Sequence, residues 1–70
     1  MRYLIVIEKA RRGFSAYSPD LPGCVAAGKT RRGVEKLMRE AVEFHLDGLR
    51  EQDARVPSPQ SYSTYVEIQR

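Results

Sequence analysis

Cys24 and His45 are the one cysteine and the one histidine of this 70-residue chain. Nucleophilic catalysis needs such a pair in contact, with a third group to orient the base. Here Cys24 opens a strand-like run, and His45 falls in the middle of an amphipathic helix, on its apolar stripe. Those positions read as a buried thiol and a core imidazole. Two-metal hydrolysis asks instead for carboxylates gathered on neighbouring strands. Glu8 and Glu67 fall at strand ends and Asp20 in a proline-rich turn, none mid-strand beside a second acid. One cysteine and one histidine fall short of a four-ligand zinc site. Neither G-x-x-x-x-G-K-[ST] nor G-x-G-x-x-G occurs, so no phosphate loop is present. The expectation is no catalytic residue, no metal and no cofactor: a protein that binds rather than reacts.

Two other residue classes bear on binding. Positive charge is clustered, with Lys9, Arg11 and Arg12 in one turn and Lys29, Arg31 and Arg32 in another. The net charge of +3 permits a nucleic-acid partner without demanding one. Arg11, Arg12, Arg31 and Arg32 are the candidate anion or nucleic-acid contacts, the alternative reading of function. The four tyrosines, Tyr3, Tyr17, Tyr62 and Tyr65, all lie on proposed strands. Such aromatics stack on bases, but they also make cross-strand pairs and enrich protein interfaces. Packing and protein contact are the favoured readings, because no RNP-type aromatic motif is present.

The elements that must position these residues follow from periodicity. Tyr3–Ile7 is β-branched, aromatic and apolar on both faces, which predicts a central strand. Glu8–Gly13 is a charged hairpin connection. Gly13–Ser18 alternates, Phe14 and Ala16 facing one way, Ser15 and Tyr17 the other. Pro19-Asp20-Leu21-Pro22-Gly23 is a stiff turn, since two prolines fix φ and remove two donors. Cys24–Lys29 is a weaker third strand, and short loops make the three an antiparallel meander. Thr30 is placed to cap a helix over Arg31–Gln52. Val34, Leu37, Met38, Ala41, Val42, Phe44, His45, Leu46 and Leu49 form its apolar stripe. Of the i, i+4 pairs Glu35–Arg39, Glu43–Asp47 and Glu40–Phe44 only the first is a favourable ion pair, so the reading is that packing holds the helix. Arg55–Gln60 is a linker stopped by Pro57 and Pro59. Ser61–Ile68 alternates again and predicts a fourth strand, returned by a right-handed crossover to lie parallel to the first. The fold class is therefore α+β, β-β-β-α-β, a mixed four-stranded sheet with one helix packed on one face.

Residues 1–70 make a single domain with a marginal core. Chains this small need staples, and one cysteine and one histidine supply neither a disulfide nor a zinc site. A homo-oligomer, dimer or tetramer, is the expected remedy, and the uncovered sheet face argues for a partner independently. The lone cysteine and the lack of a signal peptide point to the cytoplasm. No apolar run reaches the length of a membrane span.

With the residues in order, the chain resembles the HicB family of antitoxins over nearly its whole length. The matching pieces are the tyrosine-bearing strand Tyr3–Glu8, the glycine-led strand Gly13–Tyr17, the P-D-L-P-G-C box Pro19–Cys24, the threonine-opened helix after Ala27-Gly28-Lys29-Thr30, and Pro57-Ser58-Pro59 before a closing strand. The resemblance implies a pared-down ribonuclease-H-like sheet without activity, and an oligomer. It also implies that the chain binds and inhibits a small, basic, RNA-cleaving toxin of the HicA type. Tyr17, Asp20, Leu21 and the polar helix face are the candidate partner contacts. Family members often carry a further helix-turn-helix or ribbon-helix-helix region that binds operator DNA. This chain matches the form lacking it, with no direct operator binding expected. Its helix also opens on Arg31-Arg32-Gly33, where the family is usually acid-rich. Two cations there oppose the helix dipole.

Overall fold

The computed structural model describes residues 1–70. Strands β1 (Val6–Lys9), β2 (Phe14–Tyr17) and β3 (Val25–Gly28) precede helix α1 (Arg31–Glu51). The sheet order is β1-β2-β3, both pairings antiparallel. The fold is thus β-β-β-α with a three-stranded antiparallel sheet, and this corrects the β-β-β-α-β reading. Ser61–Ile68 forms no strand and joins neither edge of the sheet. The central strand is β2, and β1 lies at an edge. Alternation showed that residues 61–68 suit a sheet. It carries no information on where an edge is free to receive them.

Strand β1 also starts later than its apolar run. Val6 pairs with Tyr17, so continuing the register would set Leu4 opposite Pro19. Proline has no N–H to give the ladder. The Ser18 hydroxyl takes over, donating to the Leu4 carbonyl at 3.0 Å. Ser18 is buried, and this bond satisfies it.

The core forms between α1 and one sheet face. Ile7, Ala16 and Ala26 stand in one cross-strand row, and that row packs into the cluster of Ala16, Leu21, Cys24, Val34, Met38 and Leu46. Alanines at two of its three places, the middle and the β3 end, leave room for the helix. Burying Val34, Met38 and Leu46 stabilises the helix by about 1.5–3 kcal/mol each. The one ion pair, Asp47–Arg50 at 3.4 Å, is exposed and worth under about 1 kcal/mol. Glu35 and Arg39 do not pair. Packing therefore decides the helix, as its periodicity predicts. The stripe is narrower than its sequence pattern: Leu37 and Phe44 are exposed, Phe44 by 81%.

Both helix ends are closed. Thr30 is the N-cap, its hydroxyl accepting from the Gly33 N–H at 2.9 Å. At the other end Asp53 takes φ 53°. Its N–H donates to the Arg50 carbonyl at 3.1 Å, and that of Ala54 to Leu49 at 2.8 Å, the Schellman pattern. No helix is long and apolar enough to cross a membrane.

Candidate protein-binding surface

The loop from Ser18 to Cys24 is two turns in series. The Leu21 N–H donates to the Ser18 carbonyl and the Cys24 N–H to the Leu21 carbonyl, each at 3.1 Å. Pro19 and Pro22 hold the second position of each turn, where proline's fixed φ fits. Gly23, with φ 83°, holds the third position of the second turn, and that positive φ defines type II. The Ser18 N–H closes the loop on the Cys24 carbonyl at 3.4 Å. A loop this constrained has one way to face, and it turns Leu21 inward to 0% exposure. Leu21, read from sequence as a partner contact, is placed in the core. Cys24 is buried beside it, and the loss of solvation raises its thiol pKa.

Asp20 points outward and binds a distant part of its own chain. Its carboxylate accepts from the N–H groups of Gln60 and Ser61, at 3.0 and 2.9 Å, and from the Ser61 hydroxyl at 3.0 Å. These bonds, the Ser61 N–H first, favour the charged form and lower its pKa from the ordinary carboxylate value. Tyr3 adds a second tie, its hydroxyl donating to the Pro57 carbonyl. The proline loop is thus the anchor of the C-terminal segment. A depressed folded pKa contributes stability above the unfolded value and loses it as pH falls through the folded one. The Gln60 and Ser61 amides should therefore resist hydrogen exchange at neutral pH and lose that protection in acid. In Asp20→Ala they should exchange several-fold faster at neutral pH. Equal rates in the variant and the parent would refute the anchor.

Tyr17 stands on the sheet face away from α1. It pairs with Val6 on one side and Val25 on the other, and none of the three belongs to the core. Tyr17 is 41% and Val25 65% exposed. An apolar row therefore crosses all three strands on a face that no element covers. Sequence alternation identified Tyr17. Val6 and Val25 join it only through the register.

The four arginines are brought to one end. Lys9 pairs with Phe14, and Phe14 with Gly28, which sets the Arg11-Arg12 turn beside Lys29 and the start of α1. Arg11, Arg12, Arg31 and Arg32 are all exposed. Two clusters far apart in sequence thus share one end of the sheet. Cys24 and His45 are not joined by any hydrogen bond: the thiol is buried and His45 is half-buried on the helix. No three His, Cys, Asp or Glu side chains gather where they could hold a metal.

What this arrangement offers a ligand is shape and surface: a rigid meander backed by one helix, with an apolar face left open. That is the build of a small α+β recognition domain. The family described as HicB_like antitoxin of bacterial toxin-antitoxin system matches residues 3–69, and the chain belongs to it. It is similar to a 14.9 kDa protein of the rep-hol intergenic region of Haemophilus phage HP1, at 36% identity over 66 residues. That match takes in 94% of this chain and 50% of the phage protein, so the chain spans half of that relative's length. A UPF0150 protein of Thermoplasma acidophilum is 29% identical over 81% of this chain and 84% of its own. Among solved structures, one titled HicA3 and HicB3 toxin-antitoxin complex superposes with a TM-score of 0.73 at 37% identity, covering 86% of this chain and 70% of that one. The resemblance to the HicB family is borne out.

Proposed function

We propose that this chain is a non-catalytic antitoxin that binds a small HicA-type toxin and stops its RNA cleavage, using the open sheet face. The observation that carries the reading is the Val6–Tyr17–Val25 row, Val6 half-buried and Tyr17 and Val25 exposed, on a face with no cover in a domain of an antitoxin family. An aromatic at the centre of an apolar patch has the character of an interface hot spot. The solved neighbour is titled as a toxin-antitoxin complex, which supports a toxin as the partner. A buried free thiol suits the reducing cytoplasm.

The test is titration calorimetry against the HicA-type toxin of the same genome, beside an RNA-cleavage assay. The parent chain should bind and suppress cleavage. Tyr17→Lys should weaken binding by about 2 kcal/mol, near thirtyfold, with unchanged folding. Undiminished cleavage in the presence of excess parent chain would remove the reading.

A second reading has its own observation, the gathering of Arg11, Arg12, Arg31 and Arg32 at one end of the sheet. Four phosphate contacts on single-stranded RNA would lower affinity about fiftyfold between 50 and 200 mM salt. Flat affinity across that range would dismiss it.

A further inference from the structure

Leu37 and Phe44 are the two large apolar side chains of α1 that the core leaves out, 45% and 81% exposed. At about 100° per residue they share one sector of the helix with Ala41 and Gly48, about 60° wide. From Leu37 the steps to Ala41, Phe44 and Gly48 alternate four, three, four, the spacing of a seam between two helices. The seam is distinct from the stripe that packs on the sheet, although half-buried Ala41 borders both. Tyr3, Ile5 and Ile7 share a cleft with Val42 and Leu46, so the seam lies on the flank of α1 away from β1.

Large and small side chains alternate along this seam. A Cβ at Gly48 would meet nothing within 4 Å, and Ala41 fills little space, so each leaves a recess beside a large neighbour. The two recesses stand about 10.5 Å apart along the axis. Side chains on one face of a partner helix recur at that distance, whereas those on one face of a strand recur at about 6.8 Å. The shape therefore suits a helix. Charge narrows it further. Glu40, Asp47 and Glu51 are exposed and lie within about 60° of the seam's outer margin. Of the three only Asp47 has an ion-pair partner, Arg50. No lysine or arginine of α1 comes within about 80° of the seam, and the helix C-terminus adds its own negative end. A chain of net charge +3 thus keeps one flank of the opposite sign. Pairing two copies along this seam would set carboxylates beside carboxylates, which is unfavourable. A basic helix meets no such penalty.

We propose that Leu37, Ala41, Phe44 and Gly48 are a second docking surface, which takes an amphipathic helix with lysine or arginine beside its apolar stripe, carried by a protein other than the toxin. Phe44 is the anchor, an aromatic ringed by polar groups as hot spots are, and Glu40 and Glu51 select a cationic partner and speed its approach. Two large side chains make a small contact of the transient class. The Val6–Tyr17–Val25 row lies on the sheet face away from α1, so both surfaces can be occupied at once and neither reading depends on the other.

Fluorescence anisotropy on the full chain in about 0.15 M salt tests it with two labelled peptides of about 20 residues, long enough to be helical. Both carry the same stripe of leucine and alanine, flanked in one by lysine and in the other by glutamate. The parent should bind the lysine peptide and not the glutamate one. Phe44→Ala, with an unchanged circular dichroism spectrum, should weaken that binding about tenfold or more. Glu40→Lys combined with Glu51→Lys should weaken it by a similar factor, and Tyr17→Lys on the open sheet face should leave it as it is. No binding of the lysine peptide, equal binding of both peptides, or binding that survives Phe44→Ala overturns the proposal. So does a parent oligomer that dissociates on Phe44→Ala in sedimentation equilibrium, which would make the seam a contact between copies. Loss of toxin inhibition in Phe44→Ala also overturns it, because the seam would then belong to the toxin contact.

Discussion

Leu21→Ala should cost this domain about 2–5 kcal/mol. Leu21 is fully buried at the inward corner of two successive turns. Both prolines and the closing bond from Ser18 to Cys24 stop the loop from collapsing into the space a truncated side chain leaves. The cost of such a deletion grows with the cavity that remains, so the upper half of the range applies. A 70-residue domain has about 4–10 kcal/mol in total. One substitution in a surface turn should therefore remove close to half the stability. Urea unfolding followed by helix ellipticity should show a lowered midpoint at an unchanged slope. Val25→Ala, on the open face, is the matched control and should move the midpoint little. A loss below about 1 kcal/mol at Leu21 would mean that the loop is not part of the core.

The position of Leu21 also marks where the sequence stops being informative. The helix was legible because its signals are local and repeated: Thr30 at the cap, then Val34, Met38 and Leu46 at helical spacing, all buried. The meander was legible from three short runs and two short connections. The box Pro19–Cys24 showed its stiffness, but not its direction. An apolar residue between two prolines reads as a turn tip offered to a partner, and only the pair of hydrogen-bonded turns shows that it faces the core. Asp20 beside it reads as another exposed contact, yet its partners lie 40 and 41 residues away. No spacing rule reports a contact at that separation. The same holds for the last segment. Its alternation is real, but pairing is a property of an edge, and the edges of this sheet were known only once its order was known. The basic end is the converse case. Arg11, Arg12, Arg31 and Arg32 were visible as two runs, and the register from Lys9 through Phe14 to Gly28 made them one surface.

That surface depends on Gly13, and Gly13→Ala should cost about 2–5 kcal/mol. Gly13 takes φ 93° and follows Arg11 and Arg12, the hairpin in which a left-handed residue succeeds a turn. A side chain in that conformation costs about 1–2 kcal/mol. A Cβ there would also run into the Gly28 carbonyl oxygen and lie 3.1 Å from the Lys29 Cα. These are backbone atoms and cannot rotate aside, so overpacking adds about 1–3 kcal/mol. The relief available is for the β1–β2 turn to draw back from the start of α1, carrying Arg11 and Arg12 away from Arg31 and Arg32. Gly23→Ala separates the two causes. Gly23 also has a positive φ, 83°, but nothing lies within 4 Å of its Cβ, so it should lose only the conformational part, about 1–2 kcal/mol. Urea midpoints of the two variants, measured side by side, should differ by about 1–3 kcal/mol. Equal losses would mean that the turn and the helix start are not held in contact, and that the two arginine pairs act as separate patches.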